Sequence, residues 1–171
     1  MNHERARILI LGVGNILLSD EGVGVRTLEQ LEKTYAFPDE VELLDGGTSG
    51  MELISHIESR EHLWIIDAVK QEGLQPGDTL RMDLDDPPAY FQQKITPHQL
   101  GLSDVLAAAS LTDCLPEHIR LYGIVPESLA TGIDLTETAS RGMEAITDRI
   151  LSDLQKMGIE SRAKVHSSKF L

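Results

Sequence analysis

Apolar residues in this chain fall into two recurring patterns. Short unbroken runs read as buried strands: Arg7–Val13 (RILILGV), Val41–Asp45 (VELLD), Leu63–Asp67 (LWIID) and Ile119–Val125, the last ended by Pro126. Asp78–Met82, which follows the Pro76-Gly77 turn, is a further strand. Between them, apolar positions step by three or four and predict helices. Gly22–Tyr35 turns Val25, Leu28, Leu31 and Tyr35 to one face, and Ser49–Ile57 does so with Met51, Ile54 and Ile57. His98–Ser110 points Leu102, Val105, Leu106 and Ala109 inward. Thr136–Met157 has the clearest helical pattern, with Ala139, Met143, Ile146, Ile150, Leu154 and Met157 in step and Gly158 placed to cap it. Asp85–Pro97, with three prolines, reads as a loop, and Glu160–Leu171 as a loose polar tail.

Continuous apolar strands separated by helices require a mostly parallel sheet covered on both faces. The link from Leu63–Asp67 to Asp78–Met82 is too short for a parallel crossover, so that strand should be antiparallel. The expected fold is a three-layer α/β/α sandwich around a mostly parallel five-stranded sheet, as one domain spanning 1–171.

Charge narrows the partners. Lysine plus arginine number 15 against 28 aspartate plus glutamate, a formal net charge of −13. Such a chain is repelled by phosphate backbones and anionic lipid surfaces, which argues against nucleic acid and membrane partners. No apolar run approaches the roughly 20 residues of a spanning helix. The N-terminus, MNHERAR, lacks a signal-peptide pattern. Cys114 is the single cysteine, so neither an internal disulfide nor a thiolate metal cluster can form. The expectation is a cytoplasmic protein, and a monomer, because no exposed apolar helix stands out.

In open parallel sheets, ligands bind outside the carboxyl ends of the strands. At those ends stand Gly12-Val-Gly-Asn15 followed by Asp20-Glu21-Gly22, then Asp45-Gly46-Gly47-Thr48, then Asp67; His98 opens the helix after the proline-rich loop. Each has a plain structural reading. Asp20 and Glu21 can complement a helix dipole, Asp45 and Asp67 can serve as turn or capping residues, and His98 can be a surface side chain. A dinucleotide fingerprint fails, because its third glycine falls on Leu17 and two acids follow. There is no P-loop and no His-Glu-x-x-His helix. Gly47-Thr-Ser-Gly50 is one residue short of a nucleophile elbow and reads as a tight turn, and Cys114 reads as an incidental thiol. What remains is a carboxylate-rich edge with one imidazole. Glu21, Asp67 and His98 would supply two oxygen ligands and one nitrogen ligand to a divalent metal, leaving positions open for water or substrate.

Several motifs in register then resemble one family. Leu11-Gly-Val-Gly-Asn-Ile-Leu-Leu-Ser-Asp-Glu-Gly-Val-Gly-Val25, Asp45-Gly-Gly-Thr-Ser-Gly50, Trp64-Ile-Ile-Asp-Ala68 with Pro76-Gly-Asp78, Thr96-Pro-His-Gln-Leu-Gly-Leu102 and Gly123-Ile-Val-Pro-Glu-Ser128 follow the order seen in the hydrogenase maturation proteases. These endopeptidases trim the C-terminus of the large subunit of nickel–iron hydrogenases. The similarity runs from about Arg7 to about Met157. It implies a twisted, mostly parallel five-stranded sheet between helices and a metal-binding set that falls on Glu21, Asp67 and His98. It assigns Asp45 to activity or recognition. The implied partner is the precursor of the large subunit, already carrying nickel and cut just beyond its C-terminal cysteine motif. Nickel would come with the substrate, and zinc or cadmium could occupy the same donors. One implied mechanism docks Glu21, Asp67 and His98 against that nickel; a rival makes Asp45 or Glu21 the general base for an attacking water. Two other classes stay open: an escort that checks nickel without cutting, and a different α/β hydrolase or amidase with a small substrate.

Overall fold

β1 (Ile8–Val13) is buried at every position, which is why it reads as an unbroken apolar run. It lies parallel between β3 (Val41–Gly47) and β4 (His62–Ala68). β6 (His118–Ile124) continues the sheet parallel to β4, and β5 (Thr79–Asp83) closes it antiparallel to β6. The order is β3-β1-β4-β6-β5, the mostly parallel five-stranded sheet with one antiparallel strand that the link lengths predict. The computed structural model of the chain describes residues 5–93 and 97–165, and of residues 97–100 the backbone alone.

Helices cover both faces. α1 (Val23–Thr34) and α5 (Glu137–Lys156) lay Val23, Leu28, Leu31, Ile146 and Ile150 against Ile8, Ile10, Trp64 and Tyr122. On the other face, α2 (Ile54–Ile57), α3 (Pro87–Gln92) and α4 (Pro97–Leu111) set Ile57, Phe91, Leu102 and Leu106 against Leu9, Leu11, Leu63 and Ile65. Thr136 caps α5 by accepting from the Ala139 N–H at 3.1 Å. Gly158, at φ +76°, ends it as expected, with the Ile159 N–H turned back to the Leu154 carbonyl at 3.0 Å. Among the described residues no helix is long and apolar enough to cross a membrane.

Three expectations are corrected. The stretch 85–97 is not a loop throughout: Pro87-Pro88 open α3, where Asp86 accepts from the Ala89 N–H at 3.1 Å, and Pro97 opens α4. Proline at a helix start forfeits no hydrogen bond, so these prolines begin helices instead of breaking them. Residues 94–96 lie outside the described ones. Ser49–Ile57 divides into a 3-10 turn, Met51–Leu53, and α2; Met51 is 54% exposed and Leu53 takes the inward place. The tail expected to be loose contains β7 (Arg162–Ala163), paired antiparallel with β2 (Tyr35–Ala36), and the Lys164 N–H donates to the Thr34 carbonyl at 2.8 Å. Two-residue polar strands carry no periodicity to read. Residues 166–171 of that tail lie outside the described ones.

A charged knot ties α5 to the sheet. Asp153 is 3% exposed and accepts from the Tyr122 hydroxyl at 2.7 Å and Arg81 Nε at 2.6 Å. Arg120 comes within 3.5 Å of the same carboxylate, lies over the Trp64 ring and donates to Asp83 at 2.7 Å. Burial pulls the Asp153 carboxyl up, but the phenol and the guanidiniums outweigh it and hold the group below its ordinary value. A depressed folded-state pKa means stability that is present above the unfolded value near 3.8 and lost as pH falls through the folded one. Asp153→Asn should therefore cost about 3 kcal/mol at pH 7, as for other broken buried pairs. In urea titrations the gap from wild type should narrow progressively below pH 4. A gap of constant size would show that the charge at Asp153 is not what stabilises.

Candidate active site

Strand order reverses at β1: the crossover through α1 leads to β3 on one side, while β4 and β6 lie on the other. The crevice beyond the carboxyl ends of β1 and β4 is thus the topological switch point, where open α/β sheets bind ligands. Two glycines close the chain down over it. Gly24, in the first turn of α1, lies so near the Val13 and Ile66 carbonyls that a Cβ there would collide with both. Gly14, at φ +127°, packs under the Glu21 carbonyl in the same manner. The 3-10 turn Ser19–Gly22 is thereby pressed against β4. Glu21 is left 4% exposed and Asp67, near the end of β4, 0%.

Strand alternation sets the direction of each acid. Leu63 and Ile65 face α3 and α4, so Asp67 does too. Tyr90 of α3 is on that side, packed against Phe91 with ring centroids 5.1 Å apart. Burial first, and the Asp67 charge second, push the Tyr90 phenol up to about 12. Tyr90 therefore belongs to the wall of the site; it lies in the proline-rich stretch 85–97, whose sequence shows no helical period to point to it. α4 leads into the start of β6 and so runs antiparallel to it. Its 15 residues span about 22 Å, the length of the strand, which puts its first turn at the carboxyl edge on Asp67's side. The His98 backbone is in that turn; its side chain lies outside the described residues.

Asp45 is not brought to Asp67. It is exposed on the edge strand β3, opposite Gly12, two strands or about 10 Å from β4. It shares the α1 side of the sheet with Val41 and Leu43, whereas Asp67 takes the other side. Cys114 follows α4 at the opposite edge, its sulfur 3.4 Å from the Thr112 carbonyl. Among the described residues no three histidine, cysteine or acidic side chains cluster as a metal site.

Asp20 and Glu21, neighbours in sequence, have separate tasks. Asp20 is 0% exposed and accepts four hydrogen bonds from the loop between β6 and α5. They come from the N–H groups of Glu127 (2.9 Å), Ser128 (3.0 Å) and Thr136 (2.8 Å) and from the Thr136 hydroxyl (2.8 Å). It is a clamp that ties two loops together, not a helix-dipole complement. Nothing local in the sequence separates it from Glu21, since its donors lie more than a hundred positions away.

Known proteins share this fold. The family model for hydrogenase maturation proteases (HycI) matches residues 25–153. Over 162 residues the chain is 46% identical to the hydrogenase 2 maturation protease of Escherichia coli (strain K12), covering 94% of this chain and 99% of that protein. The solved structure of the hydrogenase maturating endopeptidase HybD from E. coli matches at 46% identity with a TM-score of 0.86, over 92% of this chain and 98% of that one. The nickel–iron hydrogenase maturation protease HybD of Thermococcus kodakarensis matches at 26% identity with a TM-score of 0.71, over 86% and 98%.

The clamp and the edge acid differ in what removing them should cost. Asp20→Ala strands four buried donors and should lower stability by about 3–5 kcal/mol in thermal or urea melts, at 1 kcal/mol or more per charge-assisted bond. Asp45→Asn, at an exposed position, should stay within about 0.5 kcal/mol of wild type. Equal effects would refute the separation.

Proposed function

The chain belongs to the hydrogenase maturation proteases, and from that premise we propose that it removes the C-terminal extension of the large-subunit precursor of a nickel–iron hydrogenase after nickel has been inserted. The observation that carries this reading is the pair of buried carboxylates, Glu21 and Asp67, at the switch-point crevice, with the first turn of α4 on the same edge. Two carboxylate oxygens and one imidazole nitrogen suit a borderline divalent ion, and their negative charge balances it.

In this reading nickel is part of the substrate, held by the precursor's cysteines, and zinc or cadmium could take its place on the same donors. Glu21 and Asp67 offer oxygen to it and His98 offers nitrogen. The three ligands therefore select by completion, because a precursor without nickel gives them nothing to hold. Their grip fixes the peptide that follows the cysteine motif over the crevice, and this positioning is a large part of what a peptidase supplies. Asp45, exposed on the other side of the sheet, serves recognition of the precursor. The activation of water falls to the carboxylates in the crevice. The protease works as a monomer in the cytoplasm.

Intact masses of a large-subunit precursor, nickel-loaded and nickel-free, test this after incubation with the protein. The expected result is loss of one C-terminal peptide from the loaded sample alone. Cleavage of both samples would remove the nickel requirement; cleavage of neither, with the two proteins co-eluting, would favour an escort. His98→Ala should abolish cleavage and weaken capture of the loaded precursor at least tenfold. Undiminished capture would overturn the docking role of His98.

A further inference from the structure

Two uncharged segments meet beside Glu21. Residues 14–19 (Gly-Asn-Ile-Leu-Leu-Ser) follow β1, and residues 128–133 (Ser-Leu-Ala-Thr-Gly-Ile) follow β6. Neither contains a charge, in a chain where a quarter of the residues are charged. The Ser19 N–H donates to the Gly132 carbonyl at 2.8 Å, and the Gly132 N–H to the Leu17 carbonyl at 2.9 Å. The Ser19 hydroxyl reaches the Ala130 carbonyl at 2.8 Å, and the Asp20 clamp holds the base of the longer loop. Loops bonded this densely are held in one conformation before any partner arrives.

What these loops display is apolar. Leu17 is 58% exposed and Ile133 is 63% exposed, two of the five large hydrophobic side chains left in solvent among the described residues. Holding leucine and isoleucine outward gains nothing for the isolated chain, since exposed apolar side chains forgo their burial free energy. They do gain at an interface, where a preformed apolar anchor binds without a further ordering cost.

The geometry points to segments 14–19 and 128–133 as a preformed apolar platform on which the folded body of the precursor docks, with Leu17 and Ile133 as its anchors. This rests on the function proposed above. The occupant follows from continuity: the turn that carries Glu21 is the turn bonded to the platform, so a protein whose chain enters the crevice lies against it. A small substrate would touch the carboxylates and leave Leu17 and Ile133 in water.

Steady-state cleavage of the nickel-loaded precursor by Leu17→Ser/Ile133→Ser tests the platform. Leu111→Ser, 90% exposed at the far end of α4, is the control. Both variants should melt like wild type, because the replaced side chains are exposed. The double variant should raise KM about ten- to a hundredfold with kcat within about twofold. Leu17→Gln and Ile133→Gln should each carry part of that rise, and the control none. Wild-type KM in the double variant, with wild-type cleavage intact, would overturn the platform alone. So would a wild-type dimer that the double variant dissociates at unchanged KM, since the patch would then serve a second copy of the chain. A wild-type protein that leaves the loaded precursor uncut would overturn the functional reading, and the platform with it.

Discussion

The close approach of α1 to the ends of β1 and β4 is the constraint on which the site depends. Gly24 rests on two backbone carbonyls, those of Val13 and Ile66, that leave no room for a Cβ. Neither carbonyl can retreat, because each belongs to a parallel ladder at the centre of the sheet. The helix start is thereby set on the switch point, and the turn before it, with Glu21, is carried down against β4, near whose end Asp67 stands. Gly14 repeats the arrangement one layer out, under the Glu21 carbonyl. Any side chain at either glycine would lift this turn and separate the two carboxylates before it affected the core.

From that seat the two adjacent acids diverge. The Asp20 charge is spent inward on four donors of the β6–α5 loop, and Glu21 is left to the crevice. A carboxylate that accepts several N–H bonds gains most of its solvation back from the protein. Asp20 can therefore be fully buried without an arginine or lysine partner among those bonds. The same bonds make the β6–α5 loop, which carries no regular secondary structure, a fixed part of the site's wall.

Much of this was legible in the chain, and the limits have physical causes. The sheet could be read because parallel strands buried on both faces need unbroken apolar runs, and Ile8–Val13 and Leu63–Asp67 have them. The antiparallel β5 followed from a link too short to cross over. The carboxyl-edge location of Glu21 and Asp67 followed from topology alone. The face each acid takes did not: Asp45 and Asp67 both close apolar strands, and only the register shows them on opposite sides of the sheet. α3 was hidden because proline signals either a break or a beginning, and Asp86 decides which through one hydrogen bond. The division between Asp20 and Glu21 rests on contacts across more than a hundred residues, beyond any local pattern.

The charge of the chain gives these parts a common logic. At −13 the protein repels anions at long range, yet at physiological ionic strength that field fades within about 8–10 Å. Long-range attraction therefore does little to choose the partner, and the choice must be made at contact. At contact the carboxyl edge offers two surfaces of different character. The segments around Leu17 and Ile133 reward apolar fit. The buried acids beside them, Glu21 and Asp67, favour a group that brings positive charge or hydrogen-bond donors into the crevice. Under the proposed function, a precursor that satisfies both surfaces lies with its chain across Glu21 and Asp67, which makes binding and the check on its nickel a single event.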